Sequence, residues 1–72
     1  MKLSSAMSRR FSCAASWTHG GSTYVVTDGG TCYIVERNGE YIGAIDGCRD
    51  LDTFAATNHW TADGTTYAQL SR

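Results

Sequence analysis

The segment from Thr31 to Asp46 constrains the fold of this chain more than any other, because it reads as two strands joined at Asn38-Gly39. Asn-Gly is the commonest pair for a two-residue type I′ turn, whose twist matches that of the strands it joins. Thr31–Arg37 is rich in β-branched and aromatic residues, and Glu40–Asp46 returns with the same character. A two-residue turn sets the register, so Arg37 faces Glu40, Val35 faces Ile42 and Tyr33 faces Ala44. The opposite charges of Arg37 and Glu40 agree with that pairing. One face of the hairpin then carries Tyr33, Val35, Ile42 and Ala44, and the other Cys32, Ile34, Tyr41, Gly43 and Ile45. Both faces are apolar, so both need a cover.

The flanking sequence supplies further elements. Thr23–Thr27 has strand composition, and Asp28-Gly29-Gly30 suits a three-residue hairpin loop into Thr31. His19-Gly20-Gly21-Ser22 marks a turn, while Phe11–Trp17 fits a strand or a short helix equally well. After Gly47 the period changes: Leu51, Phe54, Ala55 and Asn58 form one stripe of a short helix, with Asp50 or Asp52 placed to cap its first turn. Asp63-Gly64 is a turn, and Thr65–Leu70 a closing strand. The expected fold is α+β, a three-stranded antiparallel meander followed by one helix and a C-terminal strand (β-β-β-α-β), over residues 11–72. Residues 1–10 are expected to be a flexible basic arm, and Met7 a possible second start. The helix is expected on the Cys32/Ile34/Ile45 face, where Gly43 permits close approach. Phe11, Trp17, Trp60 or a partner would then cover Tyr33, Val35 and Ile42.

With 72 residues there is room for one domain, which buries roughly 60% of the surface its unfolded chain exposes. The three cysteines, Cys13, Cys32 and Cys48, are an odd and sparse set compared with disulfide scaffolds. The N-terminus has no apolar run of signal-peptide length, and Arg9-Arg10-Phe11 lacks the hydrophobic region that follows a twin-arginine signal. These features suggest a reduced, cytoplasmic protein with no membrane segment.

Catalytic and cofactor motifs are weak throughout. Cys13, Cys32, Cys48, His19 and His59 could supply a zinc site, but no Cys-x-x-Cys or His-x-x-x-His spacing links them; a zinc-stabilised module is the third reading. No Gly-x-Ser-x-Gly elbow occurs. Gly20-Gly21 and Gly29-Gly30 lack the helix and lysine of a phosphate loop. Arg9-Arg10-Phe11-Ser12 has the form of a basophilic kinase site, a form common in basic arms. The expectation is a non-enzymatic domain with no cofactor or metal.

Charge is more informative. All seven acids lie between Asp28 and Asp63, and residues 11–72 set them against three arginines for a net −4. Phosphate contacts need Lys and Arg, so the body does not suit nucleic acid as a direct ligand and favours a basic protein partner. Glu36 and Glu40 flank the hairpin tip, and Asp46, Asp50 and Asp52 gather where the third strand meets the helix. With Tyr33 and Tyr41 these acids are the candidate partner-binding residues.

In size, acidic body, compact β-β-β-α arrangement and lack of enzymatic motifs, the chain resembles small phage-encoded inhibitors of the anti-CRISPR kind. That resemblance implies binding to a host CRISPR effector complex or other nucleic-acid-binding machinery in the host cytoplasm, blocking nucleic-acid access without chemistry. The rival expectation is a small structural or interaction domain that homodimerises through its spare sheet face.

Overall fold

The computed structural model describes residues 1–10 and 12–70. In chain order they form α1 (Leu3–Ser8), β1 (Cys13–His19), β2 (Ser22–Asp28), β3 (Tyr33–Arg37), β4 (Glu40–Ile45), α2 (Cys48–Thr57) and β5 (Thr66–Gln69). The strands make one antiparallel sheet in the order β4-β3-β2-β1-β5. The class is α+β, as expected, but a helix and a strand precede the expected β-β-β-α-β series. Phe11–Trp17, which fitted strand or helix, contributes to strand β1 from Cys13 onward; Phe11 lies outside the described residues. The connection through α2 carries the chain from one edge of the sheet to the other, where β5 pairs with β1.

Two tight turns build the meander. Gly20 and Gly21 have φ of 60° and 83°, Asn38 and Gly39 of 55° and 82°. Positive φ at both central residues is the type I′ signature, which Asn and Gly adopt with least strain. Asn38 also reaches the neighbouring strand. Its amide donates to the Thr23 carbonyl at 2.8 Å, and its side-chain oxygen accepts from the Thr23 amide at 2.9 Å. The β2–β3 loop is longer than expected, with β3 starting at Tyr33. The Gly30 amide donates to Asp28 Oδ1 at 2.9 Å and the Gly29 amide to the Cys32 carbonyl at 2.8 Å.

The register departs from expectation halfway along β4. Arg37 pairs with Glu40 and Glu36 with Tyr41, but Val35 then pairs with Gly43 and Tyr33 with Ile45. Ile42 is the extra residue of a β-bulge, so the expected Val35–Ile42 and Tyr33–Ala44 pairs do not form. Past the bulge the side chains of β4 exchange faces, which carries Ile45 to the side of Tyr33 and Ala44 to the side of Ile34.

The core lies on the Tyr33/Val35 face, opposite to the expected one. Ala15, Val26 and Val35 form a buried row across three strands, flanked by Cys13 and Trp17. Leu3 and Met7 of α1 and Leu51 and Ala55 of α2 complete the cluster, with Ile45, Phe54, Trp60 and Tyr67 packed around it. Trp17 stacks on Tyr24 at 5.5 Å, meets Phe54 edge-on at 6.3 Å, and donates its indole N–H to the Asn58 carbonyl at 2.9 Å. Two helices cover this face, and Gly43 is not their point of approach.

Residues 1–10 are not a flexible arm. Leu3, Ala6 and Met7 share one stripe of α1 and are almost wholly buried, and fully burying one large apolar side chain contributes about 1.5–3 kcal/mol. The basic residues serve structure as well. Arg10 donates to the Ala6 carbonyl at the end of α1 at 2.9 Å and lies 3.9 Å over the Tyr67 ring.

The other face of the sheet has no described element packed on it. Ala68, Ala14, Thr27, Ile34 and Ala44 form a row across all five strands there, beside Val25 and Ser16. No helix among the described residues is long and apolar enough to cross a membrane.

Candidate functional site

The seven candidate residues divide into three sets. Glu36, Glu40 and Tyr41 lie together at the outer end of the β3–β4 hairpin. Glu36 and Tyr41 are a cross-strand pair on the uncovered face, and Glu40 faces Arg37 next to the turn. Tyr41 is 61% exposed. Asp46 and Asp50 are exposed where the chain leaves β4 and enters α2.

Asp52 and Tyr33 have other duties. The Asp52 carboxylate accepts the Ser4 amide at 2.8 Å and the Ser4 hydroxyl at 2.7 Å, and so caps α1 from a neighbouring helix. Asp50 or Asp52 was expected to cap α2, but the N-cap position is Gly47, with no side-chain cap, and Asp50 is the acid in the first turn. Tyr33 points to the helix side, away from Tyr41, with its hydroxyl 4.0 Å from the Cys48 sulfur. Partial burial pushes its phenol pKa upward, helped by the Cys48 contact and the negative charges of Asp28 and Asp52.

A further exposed residue lies outside the seven candidates. Ile42, the bulge residue, is 44% exposed beside Tyr41 on the edge strand. Below it Val35, Ile42, Gly43, Ala44, Ile45 and Phe54 line an apolar depression of about 190 Å³ on the helix side of the sheet. The signal available in the sequence was a hairpin apolar on both faces; what it lacked was any mark of the bulge.

The alternative chemistries find little to build on. Among the described residues no group of three or more His, Cys, Asp or Glu side chains is placed to hold a metal ion. Cys13 is buried, Cys32 half-buried and Cys48 exposed, all as free thiols. His19 and His59 stack on one another at 3.9 Å, joining the β1–β2 turn to the end of α2. Cys48 starts α2 and His59 lies two residues past its end; the ten residues of the helix span about 15 Å, so the two form no nucleophile–base pair. An open surface groove runs between the helices, past Lys2, Ser5, Cys48 and Arg49.

Comparison of the chain with protein-family models, with curated proteins and with solved structures finds no match.

Proposed function

We propose that this domain binds a protein partner through the outer part of the β3–β4 hairpin and carries out no chemistry itself. The observation that carries the proposal is the exposure of Tyr41 and Ile42, adjacent on an edge strand and, with Met1, the large apolar side chains most exposed among the described residues. Interfaces favour an exposed aromatic anchor of this kind over scattered polar contacts. Glu36 and Glu40 lie beside the pair, and Asp46 and Asp50 are exposed beyond the far end of β4, so the partner surface is basic. The sharpest form of the proposal is an inhibitor of the anti-CRISPR type, whose acids occupy a lysine- and arginine-lined groove made for nucleic-acid phosphates.

The test is a pull-down from bacterial lysate at low and high salt, with mass-spectrometric identification. It compares the native domain with Tyr41→Ala and with the combined Glu36→Gln, Glu40→Gln, Asp46→Asn and Asp50→Asn variant. A captured nucleic-acid-binding protein lost in both variants supports the proposal. Undiminished capture by the neutralised variant removes it.

A second reading has its own support, the row from Ala68 to Ala44 on the uncovered face. Small and apolar side chains across five strands suit face-to-face homodimerisation. Light scattering decides this: a strict monomer at high concentration eliminates it.

A further inference from the structure

We propose that β4 is a strand-addition site: it accepts an extended segment of a basic protein partner, whose central apolar side chain enters the depression beside Gly43 and whose flanking lysines or arginines meet Glu40 and Asp46. The inference rests on the protein-binding function proposed above and names its mode.

An edge strand directs alternate backbone N–H and C=O groups outward, where an added strand can pair with them; in β4 the bulge at Ile42 interrupts that alternation, and the stretch from Gly43 to Ile45 keeps it. The two edges of this sheet differ. β5 is four residues long, and its Tyr67 ring lies under Arg10. β4 is six residues long, exposes Tyr41 and Ile42, and borders the apolar depression. Gly43 borders open space there: a Cβ built on it meets nothing within 4 Å. The volume of the depression, about 190 Å³, exceeds that of an engineered apolar cavity of about 150 Å³ that binds benzene. One leucine- or phenylalanine-sized side chain is therefore a fitting guest. In strand addition, backbone pairing supplies affinity and such a pocket supplies selectivity.

Charge selects the occupant. Between Glu36 and Asp52 there are five acids against two arginines, a net of −3. A second copy of β4 added antiparallel about Ile42–Gly43 would bring Glu40 of each copy to the Ile45–Asp46 end of the other. Like charges meeting at both ends oppose that pairing, and flanking acids are a common defence of sheet edges against self-association. The same acids attract a strand of opposite charge. Glu40 and Asp46 are six residues apart, about 20 Å of strand, so the complementary segment has a basic residue about three positions either side of its apolar anchor.

The probe is a fluorescent seven-residue peptide, acetyl-Lys-Thr-Val-Leu-Val-Thr-Lys-amide, titrated into isotopically labelled full-length domain. Anisotropy and amide shifts are recorded beside two controls, a peptide with glutamate at both ends and one N-methylated at alternate backbone nitrogens. Expected are shift changes centred on Tyr41–Ile45 and Phe54, with at least tenfold weaker binding for each control and for the exposed-site variant Ile42→Lys. Circular dichroism verifies that this variant stays folded. N-methylation leaves charge untouched, so equal binding of the N-methylated peptide would overturn strand addition in favour of simple charge attraction. Absence of binding at millimolar peptide also overturns it, as does a footprint on Val25 and Ile34, or dimerisation of the domain through β4. If the pull-down above meanwhile retains a partner sensitive to the acids and Tyr41, the protein-binding function survives and its mode alone fails.

Discussion

Asp52 and Ser4, forty-eight residues apart, are joined by two hydrogen bonds of 2.8 and 2.7 Å from the Ser4 amide and hydroxyl to a single carboxylate. A six-residue helix has little stability of its own, since helices below about 12–15 residues are marginal in water. The bond pair satisfies an N–H that the first turn of α1 leaves free and fastens that turn to α2. Replacing an N-cap acceptor by alanine typically costs about 0.5–2 kcal/mol. Asp52→Ala is expected to lower the urea midpoint by an amount in that range while leaving partner capture unchanged. Loss of capture at unchanged stability would return Asp52 to the binding surface.

The same packing makes the first residues indispensable. Leu3 is wholly buried against the sheet and α2, and Leu→Ala in a core costs about 2–5 kcal/mol. A domain of 72 residues has about 4–11 kcal/mol in total. Leu3→Ala is therefore expected to remove a large part of the stability, and a chain starting at Met7 to melt far below the full one. A truncated chain with an unchanged thermal midpoint would contradict the packing described for α1.

Much of the fold was legible locally. Asn38-Gly39 declared its turn because few residue pairs accept positive φ twice in succession, and Leu51, Phe54 and Ala55 declared a helix by their spacing. The bulge was not legible: Tyr41-Ile42-Gly43-Ala44-Ile45 is apolar at odd and even positions alike, so no alternation marks where the register slips. The assignment of the helix face failed with it, because the slip decides which side receives Ile45. α1 carries the same i, i+3, i+4 spacing at Leu3, Ala6 and Met7, but six residues are too few to hold a helix on that pattern alone, and its order comes from Asp52 and the α2 side of the core, far away in sequence. Of the candidate site, the acids at the hairpin were found by their clustering, while Asp52 looked the same in sequence and was already engaged.

The bulge has a consequence for deletions in β4. Removing Ile42 leaves Tyr41 and Gly43 opposite Glu36 and Val35, a regular ladder with Ile45 still facing Tyr33. The Ile42 deletion is expected to stay within about 1 kcal/mol of the native domain, as surface changes usually do. A far larger loss of stability in urea unfolding would argue against the bulge at Ile42.

Stability should also fall in alkaline solution, for a reason in the core. Burial raises the Cys13 thiol pKa above its ordinary 9.0, with the negative charge of Asp28 adding to the effect and Arg10 opposing it. Burial likewise raises Tyr33 above 10.0. In the unfolded chain both groups release their protons earlier, so above pH 9 the unfolded state binds fewer protons than the native one. The slope of unfolding free energy with pH is then negative. Below pH 9 both groups are neutral in both states and contribute no slope. Urea midpoints are expected to be flat in this respect up to about pH 9 and to decline through pH 10 and above, less steeply in Cys13→Ala once its own loss of packing is subtracted. Thiol labelling gives an independent check: Cys48 is exposed, Cys32 half-buried and Cys13 buried, so at pH 8 Cys48 should react first and Cys13 at a rate limited by opening of the core. If Cys13 labels as fast as Cys48 in the native state, β1 does not sit beneath α1 as described, and the Cys13 share of the alkaline decline should vanish with it.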